Sequence, residues 1–153
     1  MPDDFAPALN DNPEGWVRAM DLRFTTATAD EVSAEWSVQP RHLQAYGIVH
    51  GGVHAGVIET LASVGAALYA LPRQQSVVGL ENHTSFIRAV RSGTLRATAT
   101  PLQRGRRTQV WEAVVRDEEG RTVASGRVRL LCLDSGSSLG GEEVRRVRAI
   151  DNG

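Results

Sequence analysis

The chain has 153 residues, of which 41% are apolar, so it is long enough to bury one substantial core and too short for several domains. Its formal net charge of -1 excludes the basic balance of a nucleic-acid-binding surface, and all 17 basic residues are Arg, so Arg content alone says nothing about anion binding. A lone Cys132 excludes an internal disulfide framework; with a Met1-Pro-Asp-Asp start unlike a signal peptide and no expected membrane span, the setting is expected to be cytoplasmic.

Residues 1–14 are rich in Pro, Asp and Asn and read as a flexible arm ahead of a single domain over 15–134. Leu22 to Thr28 and Glu31 to Val38 read as strands separated by a turn at Ala29-Asp30. The second alternates as Val32, Ala34, Trp36 and Val38 until Pro40 ends it. A loop through Tyr46-Gly47 leads into an apolar helix, Val53 to Leu71, stopped by Pro72. Four strands follow: Val77 to Ile87 with a break expected near Asn82, Thr94 to Leu102, Thr108 to Arg116 and Thr122 to Leu133. The connections at Ser92-Gly93, Arg104-Gly105 and Glu118-Glu119-Gly120 carry the Gly that tight turns require. This order predicts an α+β domain in which a curved antiparallel sheet wraps one long central helix. Gly52, Gly56, Ala62 and Ala66 supply small residues for close packing along that helix. Residues 135–153 read as a mobile tail: Gly-Ser-Ser-Leu-Gly-Gly is linker-like, and Glu142 to Arg148 is too short for a stable helix.

Val53 to Leu71 contains only two acidic or basic side chains, Glu59 and His54, among residues that are apolar on most sides. Such a helix belongs in an interior, where a carboxylate is costly unless it is hydrogen-bonded, paired or protonated. Glu59 therefore stands where a core residue is expected, and is either a satisfied buried acid, or at an exposed edge of the helix, or a catalytic acid, base or nucleophile. Gly51 and Gly52 open the helix, where free backbone N–H groups and the helix dipole suit an oxyanion, although a Gly pair also serves a tight turn. Eight positions separate Gly51 from Glu59, roughly 12 Å along a helix, so one carbonyl cannot touch both within a single chain. A site using both needs two copies of the chain, and a homo-oligomer follows.

Ser63, one turn beyond Glu59, is placed to hydrogen-bond the carboxylate or a substrate group. His50 and His54 lack a third ligand of diagnostic spacing, so no metal is expected, and His50 is assigned to fixing the loop or substrate. Gln103-Arg104-Gly105-Arg106-Arg107-Thr108 concentrates three Arg at a hairpin. With Arg88 and Arg91 it forms a candidate phosphate site, or else a solvated charged turn. Cys132, within an apolar strand, reads as a buried small hydrophobe.

These residues resemble the hotdog-fold acyl-CoA thioesterases, in the branch with 4-hydroxybenzoyl-CoA, phenylacetate-pathway and enterobactin-proofreading enzymes. Gln44 to Ser63 resembles the active-site segment, and the likeness continues through Val77 to Val90, Pro101 to Glu112 and Asp117 to Arg121. The resemblance implies Glu59 as nucleophile or general base, the Gly51 amide as carbonyl donor, Gln44 and His50 as positioning groups, and Ser63 as an orienter of substrate or water. It places CoA contacts on Gly79, on Phe86, Ile87, Arg88 and Ala89, and on Gln103 to Thr108. It implies a tetramer built from hotdog dimers and no cofactor beyond the coenzyme A of the substrate. This chain departs from several relatives in having Arg88-Ala89 for Arg-Pro, and Phe86 where enterobactin-type members carry His. A hotdog hydratase would need an Asp in the loop Arg41 to Val49, which has none. A non-catalytic acyl-CoA sensor would have little use for Glu59.

Overall fold

The computed structural model describes residues 3–144. Helix α3 (Gly51–Ala70) is the centre of the fold, capped at His50 and followed by a short turn at Leu71–Arg73 containing Pro72. Around it run β1 (Arg23–Ala27), β2 (Val32–Ser37), β3 (Ser76–Phe86), β4 (Thr94–Arg104), β5 (Thr108–Arg116) and β6 (Thr122–Leu133), all paired antiparallel in the order β1-β2-β4-β5-β6-β3. This is the α+β hotdog architecture, with α3 packed against strands β2 to β6.

The period-2 alternation turns Val32, Ala34 and Trp36 of β2 and Trp111, Ala113 and Val115 of β5 inward. They meet Val57, Ile58, Leu61 and Ala62 of α3, all fully buried. Each large side chain so buried contributes about 1.5–3 kcal/mol. The core also holds a satisfied polar chain: Trp111 Nε1 donates to Gln109 Oε1 at 2.9 Å, and Gln109 Nε2 donates to the Ala66 carbonyl at 3.1 Å. Trp111 fits because Gly65 has no side chain; a Cβ there would lie 2.4 Å from the indole ring. Gly65→Ala is expected to cost about 2 kcal/mol by overpacking, read as a lower urea midpoint with an unchanged slope.

Several expectations change. Residues 1–14, read as a flexible arm, carry α1 (Ala6–Asp11), and Asn10 and Asp4 hydrogen-bond the backbone of Phe24 and Ala27 in β1. Their Asp and Asn side chains are edge-strand partners rather than solvent-seeking groups. A further helix, α2 (Gly15–Met20), precedes β1. Strand β3 is not broken at Asn82; the register shift lies between Gly79 and Glu81, and Asn82 Nδ2 donates to the Ala55 carbonyl of α3 at 2.8 Å. In the tail, Gly140 and Gly141 both have positive φ and turn a hairpin between β7 (Ser138–Leu139) and β8 (Glu142–Glu143), so the Gly pair is a turn and not a linker. The rest of the charged stub lies outside the described residues.

By length and composition Gly51–Arg73 also matches a membrane span, 23 residues with mean hydropathy 1.4, which the sequence reading did not anticipate. Here the sheet takes up one side of that apolar surface. A second stripe along α3, through Gly52, Gly56, Glu59, Thr60, Ser63 and Val64, is left partly or fully exposed, with Trp16 against Gly56 and the edge strand β3 beside Glu59.

Candidate active site

Two connected turns deliver the start of α3. His42 is fully buried, its Nδ1 accepting from Gln39 N and its Nε2 donating to the Met20 carbonyl, both at 2.9 Å. Its own carbonyl receives His50 N at 2.8 Å, so the loop is tied to α2 and to the helix start together. At the loop tip Gly47 adopts φ +73, which favours Gly.

His50 then separates the two candidate oxyanion donors. Its Nδ1 accepts the Gly52 N–H at 2.8 Å, which leaves the proton of a neutral ring on Nε2, free to donate outward. Gly52 is therefore committed to the cap. The Gly51 N–H has no partner among the described residues and opens at the positive end of a 20-residue helix. Phe86 packs over Gly51, 2.6 Å from where a Cβ would stand. Gln44 accepts from Tyr46 N through Oε1, which leaves its Nε2 available. Gln44, His50, Gly51 and Gly52 share a cavity of about 400 Å³ with Phe86, Ile87, Arg88 and Ala89. The N-terminal end of α3 thus gathers about half of the anticipated site residues.

Glu59 is elsewhere. Expected in the interior, it is exposed, on the stripe of α3 that the sheet leaves open. It shares a second cavity of about 410 Å³ with Trp16, Gly56, Thr60, Ser63 and Val64. Gly79 of β3 faces it, and a Cβ at that position would lie 2.8 Å from Glu59 Oε1. Ser63 lines the same cavity, one turn further along α3.

The anticipated phosphate hairpin lies at the far end of α3, roughly 30 Å along the helix from Gly51. There Arg104, Gly105 and Arg106 share a cavity of about 420 Å³ with Tyr69 and Arg73. Arg104 is already engaged: its Nη1 pairs with Asp30 Oδ1 at 2.7 Å and its guanidinium lies 4.5 Å from the Tyr69 ring. Arg73, which the sequence reading passed over, stacks on the same ring at 4.2 Å. Arg106 and Arg107 are exposed and form no ion pair among the described residues. Gln103 and Thr108 pack around Gly105, holding the turn.

The buried ionisable residue of α3 is His54, not Glu59. It is 3% exposed, lies beside the rings of Trp36 and Phe86, and its Nδ1 has no partner. Burial lowers its pKa from 6.5 to about 4. His50 and Arg88 are the other ionisable groups on its cavity. An unfolded chain takes up a proton between these two values that the folded chain refuses, so the stability from a neutral His54 is complete above the upper value and drains away below it. His54→Leu is expected to reduce the loss of unfolding free energy between about pH 7 and about pH 4.5 by about 2 kcal/mol, measured by urea titration at each pH.

Residues 46–124 match the thioesterase superfamily, which takes in the loop from Tyr46, α3 with Glu59, and strands β3 to β5. The chain belongs to the thioesterase superfamily. It is 37% identical to the 1,4-dihydroxy-2-naphthoyl-CoA hydrolase of Escherichia coli over 122 residues, 79% of this chain and 89% of that one. It is 38% identical to the proofreading thioesterase EntH of Cronobacter turicensis over 123 residues, 79% and 88% of the two chains. The structure of Rv1847 from Mycobacterium tuberculosis superposes with a TM-score of 0.77 at 41% identity, covering 78% of this chain and 97% of that one. As a member of this superfamily the chain is a thioester hydrolase on the hotdog fold.

Proposed function

We propose that the chain hydrolyses acyl-CoA thioesters to the free acid and coenzyme A at a site shared between two copies. The observation that carries this is the separation of an unpartnered Gly51 N–H from an exposed Glu59 on one helix, each in its own cavity. Two α3 helices running antiparallel about an axis near Ala55 bring each Gly51 to the other copy's Glu59, since both lie four positions from Ala55. The residue of β3 bonded to Ala55 is Asn82. Strand β3 is an edge strand with Leu80 and Phe86 exposed, so pairing of two β3 strands about Asn82 serves the same axis and continues the sheet. The part of the exposed α3 stripe that Trp16 leaves free is then covered by its counterpart.

In this arrangement the thioester carbonyl accepts from the Gly51 N–H, with Gln44 Nε2 and His50 Nε2 as further donors beside it. Glu59 of the other copy attacks the carbonyl or removes a proton from an attacking water, with Ser63 orienting substrate or water. The tetrahedral oxyanion stays at the helix N-terminus until the thiolate of coenzyme A departs; where Glu59 itself attacked, water then cleaves the anhydride left on Glu59 to release the free acid. The same axis sets the other copy's Arg73 and Arg106 about 15–25 Å beyond Gly51, at the reach of a pantetheine arm. The related E. coli and C. turicensis enzymes support thioester chemistry, and the lone Cys132 supports a cytoplasmic setting. Thiol release from a panel of aryl, short-chain and long-chain acyl-CoAs tests the reading. Turnover of at least one ester is expected, and binding without turnover of any would replace it with a non-catalytic acyl-CoA binder.

A further inference from the structure

Resting on the thioesterase reading above, we infer that Trp16 is a specificity-determining residue, its indole forming the wall of the acyl chamber beside Glu59 and restricting that chamber to compact, planar acyl groups. Trp16 stands on α2, ahead of the segment that carries the other site residues. It is 39% exposed and is not packed into the hydrophobic core, so the core does not account for a side chain of this size. The remainder of the ring lies against α3 at Gly56, where a Cβ would fall 2.4 Å from the indole. A Gly at 56 is therefore what admits the ring, and the two residues form a fitted pair. That contact lies one helical turn before Glu59, and the open part of Trp16 lines the Glu59 cavity with Thr60, Ser63 and Val64. An indole seated there closes the cavity on its Gly56 side, which limits the length of acyl group it can take, and supplies an aromatic surface for a flat acyl group.

Helix α2 is held in register with the site. Arg41 Nη1 donates to the Ala19 carbonyl and His42 Nε2 to the Met20 carbonyl, both at 2.9 Å, so the loop that presents His50 also anchors the helix bearing Trp16.

The test compares kcat/KM for benzoyl-CoA and decanoyl-CoA in the wild type, Trp16→Ala, Trp16→Phe and Gly56→Ala, each checked for an unchanged melting profile. The benzoyl-to-decanoyl ratio is expected to fall by about tenfold or more in Trp16→Ala, to survive largely in Trp16→Phe, and to fall in Gly56→Ala, where the indole is present but displaced. An unchanged ratio, or an equal loss on both esters, would overturn the role of Trp16. A wild-type chain that releases thiol from no ester of the wider panel would instead overturn the thioesterase reading before any variant is compared.

Discussion

Glu59→Gln is expected to lower kcat for thioester hydrolysis by about a thousandfold while leaving the fold unchanged. Gln keeps the shape of the side chain and removes its capacity to attack a carbonyl or accept a proton. Glu59 is exposed and in no salt bridge among the described residues, so the unfolding free energy should move by less than about 0.5 kcal/mol. Steady-state thiol release beside a thermal melt separates the two effects. Retained turnover in the folded variant would remove Glu59 from the chemistry.

Gly51→Pro is expected to lower kcat by about a hundredfold to a thousandfold, the usual effect of deleting one oxyanion donor. Pro suits this position because Gly51 is the first residue of α3, where a missing N–H costs the helix nothing. The preceding residue, His50, already has φ -63 and ψ 133, the extended conformation that a following Pro requires. The ring would displace Phe86, which is 61% exposed and has room to move. A fall in kcat with helix content unchanged in circular dichroism would assign the loss to the N–H itself. Gly52 offers a contrast, since its N–H is occupied by His50 Nδ1.

Most of the fold was legible because its signals are local. Alternation in Val32 to Trp36, Gly at the hairpin turns and a long apolar run ended near Pro72 each depend on a few neighbouring residues. A helix apolar on most sides implies cover on most sides, but the chain's own packing leaves Glu59 exposed; on the proposed reading the rest of the cover comes from a second copy. His54 was the residue that the core had enclosed, and periodicity carried the signal: positions 54, 57, 58, 61 and 65 share one face of α3, whereas 52, 56, 59 and 63 share the other. Trp16 gave no periodic signal because α2 has only six residues. The docking of residues 3–14 rests on Asn10 and Asp4 reaching β1, across sequence distances that composition does not register.

The shared site is tested most directly by mixing Glu59→Gln and Gly51→Pro chains, after unfolding and refolding together, and measuring thiol release. In a heterodimer one site receives both lesions and the other receives neither. An equal mixture is therefore expected to recover about one quarter of wild-type activity, half of the dimers being mixed and half of their sites intact. Activity no greater than the average of the two parent variants, in a sample shown to contain mixed dimers, would contradict a site divided between two chains.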